Sequence, residues 1–163
     1  EAWNVAIKKA NTPYVINVNT DDRLYRAALV VYLAYAQTHP HGDVFYSSYK
    51  VVTDENHTQT KAAFFPPPHN HSLLLQHCYC GPFPLLKRQT IIDEGLFDPA
   101  YTISGDYEMW LRLSENGRNL LNINESLGSY YDNPTGMSTN RESEHWNEHL
   151  RQDNELRKRY ASL

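Results

Sequence analysis

The sequence predicts an α/β fold in which helices flank a sheet, and two patterns lead to this prediction. A β-branched run, residues 14–18, lies between two segments whose apolar residues recur at helical spacing. A second strand pattern, residues 43–52, follows the second helix. At 163 residues the chain has the length of one domain with a substantial core. We therefore expect residues 1–163 to form a single domain, with a terminal helix at 140–163.

The first half of the chain alternates helix and strand patterns, separated by turn residues. Asn11-Thr12-Pro13 ends the first helix, and Asp22 is a candidate N-cap for the second. The turn at 53–58 separates two strand patterns that should pair as a hairpin. The elements predicted here are a helix at 1–10, a strand at 14–18, a helix at 23–39, a strand at 43–52 and a strand at 61–65.

The second half starts with a long loop, residues 66–84, whose prolines allow at most one helical turn. Ser104 has the residue type and position of an N-cap, and Gly117 ends the helix that it opens. The elements predicted here are a strand and helix within 85–95, a helix at 104–117, strands at 118–123 and 127–132, and the terminal helix.

Charge and composition exclude several kinds of protein. The net charge of −4 and the absence of a basic stripe, apart from residues 157–160, predict that the chain binds no nucleic acid. The longest apolar run, residues 27–36, is about half of the ~20 residues that a membrane-spanning helix needs. Cys78 and Cys80 are too close in sequence for a disulfide framework. A reducing, cytoplasmic location is the resulting expectation.

Asp21 and Asp22 are adjacent acids at the end of a predicted buried strand. Like charges this close oppose each other's ionisation, so a compensating charge is expected. In open α/β sheets ligands bind beyond the carboxyl ends of strands, and a divalent cation with substrate phosphates would relieve the repulsion. A solvated loop in which Asp22 only caps the next helix remains the alternative.

Two segments of the chain resemble sequence motifs, or boxes, of the nucleotide-sugar glycosyltransferases of family 2, and they occur in the same order as in that family. Residues 11–52 resemble the segment in which a strand leads to an Asp-x-Asp-Asp box and then a helix. Residues 81–118 resemble the acceptor-side segment, with an arginine-containing strand, a Gly-Phe-Asp turn and a Glu-Asp-x-x-x-Trp-Leu-Arg helix. The resemblance implies a glycosyltransferase A-type fold with a mixed, mainly parallel sheet.

The same resemblance implies that the family's N-terminal nucleotide-binding strands precede this chain, so that the fold is N-terminally truncated. The fragment alone would then be inactive. Without those strands one edge of the sheet is exposed, and an exposed edge favours pairing with a second copy of the chain. A homo-oligomer formed through that edge is therefore expected.

The resemblance also implies roles for the acids. Asp21 and Asp22 match the donor-binding box, with Asp22 as the ligand of a Mn²⁺ or Mg²⁺ ion, although Asn19 stands where many members have the first acid. Asp106 matches the catalytic general base of inverting members, and Gly105 replaces the usual Glu before it. An acid in the first turn of a helix is also favoured by the helix dipole alone.

Weaker candidates surround these acids. Gly81 would let an acceptor approach the backbone, or form a simple turn. Trp110 is either an acceptor-side platform or a core residue, and Glu108 is expected at the surface. His145 is either a second metal ligand or a surface residue of the terminal helix. A zinc site is disfavoured because its candidate ligands lack a second cysteine pair; they are His69, His71, His77, Cys78 and Cys80.

The function implied is metal-dependent, inverting transfer of a sugar from a nucleoside-diphosphate donor to a glycan, lipid-linked or other hydroxyl acceptor. The alternative from another class is a non-catalytic module that binds a glycan or a protein in the same cleft. A metal-dependent hydrolase that uses the same acids is a third hypothesis.

Overall fold

A computed structural model describes residues 2–137 and 139–161 of the chain. The strands are β1 Tyr14–Ile16, β2 Arg23–Leu24, β3 Val44–Val52, β4 Thr60–Phe64, β5 Leu85–Lys87 and β6 Leu120–Tyr131. The helices are α1 Ala2–Lys9, α2 Ala28–Thr38, α3 His71–Leu74, α4 Arg88–Asp93, α5 Gly105–Glu115 and α6 Glu144–Ala161. None of the described helices combines the length and apolarity that a membrane span requires.

The strands form a mixed sheet in the order β1-β5-β3-β6-β2, and β4 pairs with β3 beyond the end of β5. This confirms the predicted mixed sheet flanked by helices. The sheet is not mainly parallel, however, because among the described strands only β3 and β6 run parallel. The β3–β4 hairpin has a short connection, which can only join antiparallel strands.

The single strand β6 replaces the two strands predicted at 118–123 and 127–132. It pairs with β3 along nearly its whole length, and Ser47 faces Ile123 while Ser48 already faces Ser126. Asn124 and Glu125 therefore form a bulge, and both are exposed. A bulge of this kind interrupts the apolar pattern locally without ending the strand.

The second helix begins later than predicted, at Ala28, and Asp22 does not cap it. Its N-cap position is Ala27, which has no capping side chain. Arg23 and Leu24 instead pair with Ser129 and Gly128 of β6 as the short strand β2. Long-range strand pairing has overridden the local helical pattern of this segment.

The core consists of two apolar clusters on opposite faces of the sheet. Val44 and Tyr46 belong to the cluster under α5 and α6, whereas Phe45 belongs to the cluster under α2. This division follows from the strand geometry, because successive side chains point to opposite faces. Both faces of β3 are thereby buried from Val44 to Ser48.

Candidate functional site

A cavity of about 210 Å³ lies where the chain leaves β1 and where α5 begins. Its wall contains Asp106, Gly81 and Trp110, and also Asn17 and Asn19 from the segment after β1. The remaining lining residues are Trp3, Tyr49, Cys78, Pro82, Pro84, Leu86, Phe97 and Tyr130. The structure therefore brings two distant segments, the turn after β1 and the start of α5, to one cavity.

Neither Asp21 nor Asp22 lines this cavity; Asp22 is connected to its wall through Asn19 and is only 7% exposed. Its carboxylate accepts hydrogen bonds from the Tyr131 backbone N–H at 3.1 Å and from the Asn19 side-chain amide at 3.2 Å. Burial raises the pKa of Asp22 to about 6; the Tyr131 bond opposes this, and the charge of Asp21 adds to it. The charge of Asp21 thus opposes ionisation of Asp22, as the sequence predicts, but burial has the larger effect.

Asp21 is more exposed than Asp22 and is held from the opposite side. The Asn133 side-chain amide donates to its carboxylate at 3.3 Å. Its carbonyl oxygen accepts a hydrogen bond from His57 Nε2 at 2.9 Å, and Nδ1 of the same ring contacts the Ser129 hydroxyl. Because a carbonyl oxygen only accepts, Nε2 carries the proton, and Nδ1 accepts from Ser129 in the neutral ring.

Asp106 occupies the first turn of α5, where the helix dipole favours a negative charge. Its carboxylate accepts a hydrogen bond from the backbone N–H of Tyr107 at 2.8 Å. Burial nevertheless raises the pKa of Asp106; the Tyr107 bond opposes the increase, Asp153 adds to it and His149 opposes it. A carboxylate with a raised pKa is a stronger base near neutral pH.

Gly81 has a backbone φ of +80°, a conformation that favours glycine. A Cβ atom at this position would lie 3.3 Å from the ring of Tyr49, which also lines the cavity. Gly81 is thus both a turn residue and a point of close approach, so the two interpretations of this glycine are compatible.

Trp110 is a core residue that also reaches the cavity. It is 2% exposed and packs edge-to-face on Phe97, with ring centroids 6.4 Å apart. Its indole nitrogen is buried and has no hydrogen-bond partner among the described residues. Glu108, expected at the surface, is instead 1% exposed, because Arg112 and the Tyr160 hydroxyl both bind its carboxylate.

His145 lies in the first turn of α6, where it is exposed, and lines neither this cavity nor a second one of about 680 Å³ next to Trp146. The histidine that approaches Asp106 is His149, one helical turn later. Residues four apart lie on the same helix face, so the sequence could not distinguish them without the packing of α6.

Within residues 2–137 and 139–161, no three His, Cys, Asp or Glu side chains are grouped closely enough to hold a metal ion. The side chains considered for zinc have other contacts. His69 and His71 both lie 2.8 Å from the Ser114 hydroxyl, Cys80 is buried, and Cys78 lines the cavity.

The sequence reasoning missed several cavity residues. Asn17 could have been predicted, because residues two apart in an extended segment point to the same side, and Asn17 lies two positions before Asn19. Trp3, Tyr49, Cys78 and Tyr130 come from four separate segments, and no local pattern relates them.

Among solved structures, the chain is similar to TarS of S. aureus, a glycosyltransferase. The match to residues 1–349 of TarS has a TM-score of 0.61 and 18% identity, and covers 80% of this chain and 39% of that one. The complex with UDP-GlcNAc gives a TM-score of 0.61 at 18% identity, covering 78% and 37% of the two chains. The complex with UDP gives 0.57 at 17% identity, covering 80% and 39%.

No protein-family model matches the sequence, and no curated protein does. The chain spans less than half the length of the TarS chains that it matches. At this level of identity the likeness concerns the fold, and the chain has a glycosyltransferase fold of mixed α/β type.

Proposed function

We propose that this chain is part of a glycosyltransferase that moves a sugar from a nucleoside-diphosphate donor to a hydroxyl acceptor. The shared fold supports this proposal, as do the UDP-GlcNAc and UDP bound by TarS. The observation that carries it is that Asn17 and Asn19, from the segment that leads to Asp21 and Asp22, line one cavity with Asp106, and that Asn19 is hydrogen-bonded to Asp22. We further assign the chain to family 2, on the resemblance of both boxes.

Asp22, together with Asp21, would hold a divalent cation with the donor diphosphate. Two adjacent carboxylates are the ligand type that hard cations take, and a cation would offset the repulsion that Asp21 adds at Asp22. Because the described residues supply no third acid, histidine or cysteine there, the donor diphosphate would have to complete the ligand set. Mn²⁺ or Mg²⁺ bound here would neutralise charge on the departing diphosphate. His145 would have to approach from α6 to act as a further ligand.

Asp106 would act as general base in an inverting transfer. Its carboxylate takes the proton of the acceptor hydroxyl as the oxygen attacks the anomeric carbon, and the raised pKa suits that task near neutral pH. Gly81 and Trp110 would form the acceptor side of the cavity, where a glycan, a lipid-linked or another hydroxyl compound binds.

Ligand binding to the chain tests the proposal directly. Mn²⁺ with UDP or UDP-GlcNAc should raise the melting temperature, because a ligand at 100 times its Kd stabilises a protein by about 2.7 kcal/mol. Asp22→Ala should abolish the increase, whereas Asp93→Ala, which removes an exposed acid of α4, should retain it. Equal increases in the wild type and in Asp22→Ala would contradict the proposal.

The alternative is a non-catalytic glycan- or protein-binding module. Two departures from the family boxes favour it, Asn19 in place of the first acid and Gly105 in place of Glu. Product analysis separates the alternatives, because a transferase forms a glycosylated acceptor and a binding module leaves the donor intact. Donor breakdown without any acceptor would instead indicate the hydrolase.

A further inference from the structure

Helix α6 is joined to the segment that carries Asp106 by a buried polar network. The Ser104 hydroxyl, two residues before Asp106, donates a hydrogen bond to Asp153 Oδ1 at 2.6 Å. His149 Nδ1 lies 3.3 Å from the same hydroxyl, and its Nε2 lies 3.8 Å from Asp153 Oδ2. Ser104 and Asp153 are 1% and 8% exposed, so solvent screens this contact only weakly.

Gln152 fixes the backbone of the same segment. Its side-chain oxygen accepts hydrogen bonds from the N–H groups of Ile103 at 3.1 Å and Ser104 at 3.0 Å, and the residue is 1% exposed. Neither N–H has a partner within α5, which begins at Gly105. Helix α6 therefore determines where α5 starts, and with it the position of the Asp106 carboxylate.

The charged and titratable groups around Asp106 come from two elements. Helix α6 contributes Asp153 and His149, and the loop before β5 contributes the thiols of Cys78 and Cys80. Burial, followed by the charge of Asp106, raises the pKa of both thiols, so they are neutral at physiological pH. By solvent accessibility Cys78 is exposed where it lines the cavity, whereas Cys80 is buried.

Asp153 also has an ion pair within α6. Arg157 Nη2 lies 3.5 Å from Asp153 Oδ2, on the same helix. Of the two groups of α6 that act on Asp106, Asp153 raises its pKa and His149 lowers it.

We propose that Asp153 and His149 of α6 are positioning residues, which hold the start of α5 through Ser104 and supply the charged groups that act on Asp106. This inference rests on the proposed function for the role of Asp106, but not for the contacts themselves. Asp153 opposes ionisation of Asp106 and so increases its affinity for a proton, whereas His149 acts in the opposite direction when its ring carries a positive charge. The pair adjusts the strength of the base without touching a substrate.

Carbon-13 NMR of the aspartate carboxyl groups measures this effect in the whole chain, without any need for sugar transfer. The midpoint of the Asp106 titration should move to lower pH in Asp153→Asn, which removes a negative charge and keeps an oxygen that can accept from Ser104. It should move to higher pH in His149→Gln. Glu155→Gln removes a negative charge from the exposed face of α6 and should leave the midpoint unchanged.

An Asp106 midpoint that stays at the wild-type pH in folded Asp153→Asn, or moves upward, would overturn the inference. Should Asp153→Asn fail to fold, His149→Gln decides the question alone, because an unchanged or lowered midpoint there contradicts it equally. Where transfer is measurable, the acidic limb of kcat/KM should move in the same directions; a purely structural role would lower the rate equally at every pH. Failure to bind UDP would count against the proposed function and leave this titration result untouched.

Discussion

The ionised form of Asp22 destabilises the folded chain at neutral pH. Raising a carboxyl pKa from 3.8 to about 6 corresponds to about 3 kcal/mol of unfavourable free energy for its ionised form. The folded state holds this proton more tightly than the unfolded state, so the stabilisation is complete below about pH 4 and is lost as the pH rises to about 6. A buried acid kept at such a cost is typical of a functional site.

Asp22→Asn should therefore stabilise the ligand-free chain by up to about 3 kcal/mol at pH 7, and by much less at pH 4. The amide oxygen can still accept from the Tyr131 backbone N–H. Urea unfolding at both pH values measures the difference. Asp21→Asn serves as comparison and should stabilise less, because the Asp21 charge ranks behind burial as a cause. A gain independent of pH would show that ionisation is not its source.

Gly81→Ala should destabilise the chain by about 1–2 kcal/mol for its positive φ alone, and by more because its Cβ meets the Tyr49 ring. Gly117 offers a matched control, with φ +69° and nothing within 4 Å of a Cβ. Urea unfolding of both variants should give the larger loss for Gly81→Ala. Equal losses of stability in the two variants would mean that the Tyr49 ring moves aside without destabilising the chain.

At the scale of elements, the turn between β3 and β4 is attached to the acidic turn. Arg23 donates to the backbone oxygens of Asn56 at 2.9 Å and Glu55 at 2.8 Å, while His57 bonds to the Asp21 carbonyl. The hairpin thus braces the segment on which Asp21 and Asp22 lie. The Asp22 carboxylate, for which the sequence predicted a helix cap, binds the Tyr131 backbone N–H and the Asn19 amide instead.

Arg23→Ala should release this turn and leave the sheet intact. Amide hydrogen exchange within residues 55–59 should become about tenfold faster, equivalent to about 1.4 kcal/mol of lost local stability. Amides that join β3 and β6 should exchange at their wild-type rates. Arg26→Ala, which removes another exposed arginine close by, should change neither region. Faster exchange throughout the sheet would indicate general destabilisation instead.

At the scale of the molecule, β1 is the end strand of the sheet, and among the described strands it pairs only with β5. An unpaired strand edge can add a further strand from another chain. We propose self-association through this edge. Sedimentation should then show a concentration-dependent dimer, and amides of Tyr14–Ile16 should become protected from exchange as the dimer forms. A dimer without that protection would use another surface.

The sequence correctly predicts helices and strands where these depend on residues close together in the chain. The β3–β4 hairpin, the helical turn after residue 70 and the helix carrying Trp110 follow from local periodicity and turn residues. The convergence of Asp106 with the turn after β1 was expected from the two boxes, and the cavity contains both segments. The catalytic, donor-binding and metal-binding roles of these acids remain predictions.

Periodicity and turn chemistry act over a few residues, so the residues alone sufficed for an α/β chain of alternating elements with acids at a strand end and at a helix start. The continuity of β6, the pairing of residues 23–24 with it, the burial of Glu108 and the approach of His149 rather than His145 all depend on segments far apart in the chain. Such contacts form only when the whole core packs, because burial and long-range hydrogen bonds then outweigh each segment's local preference.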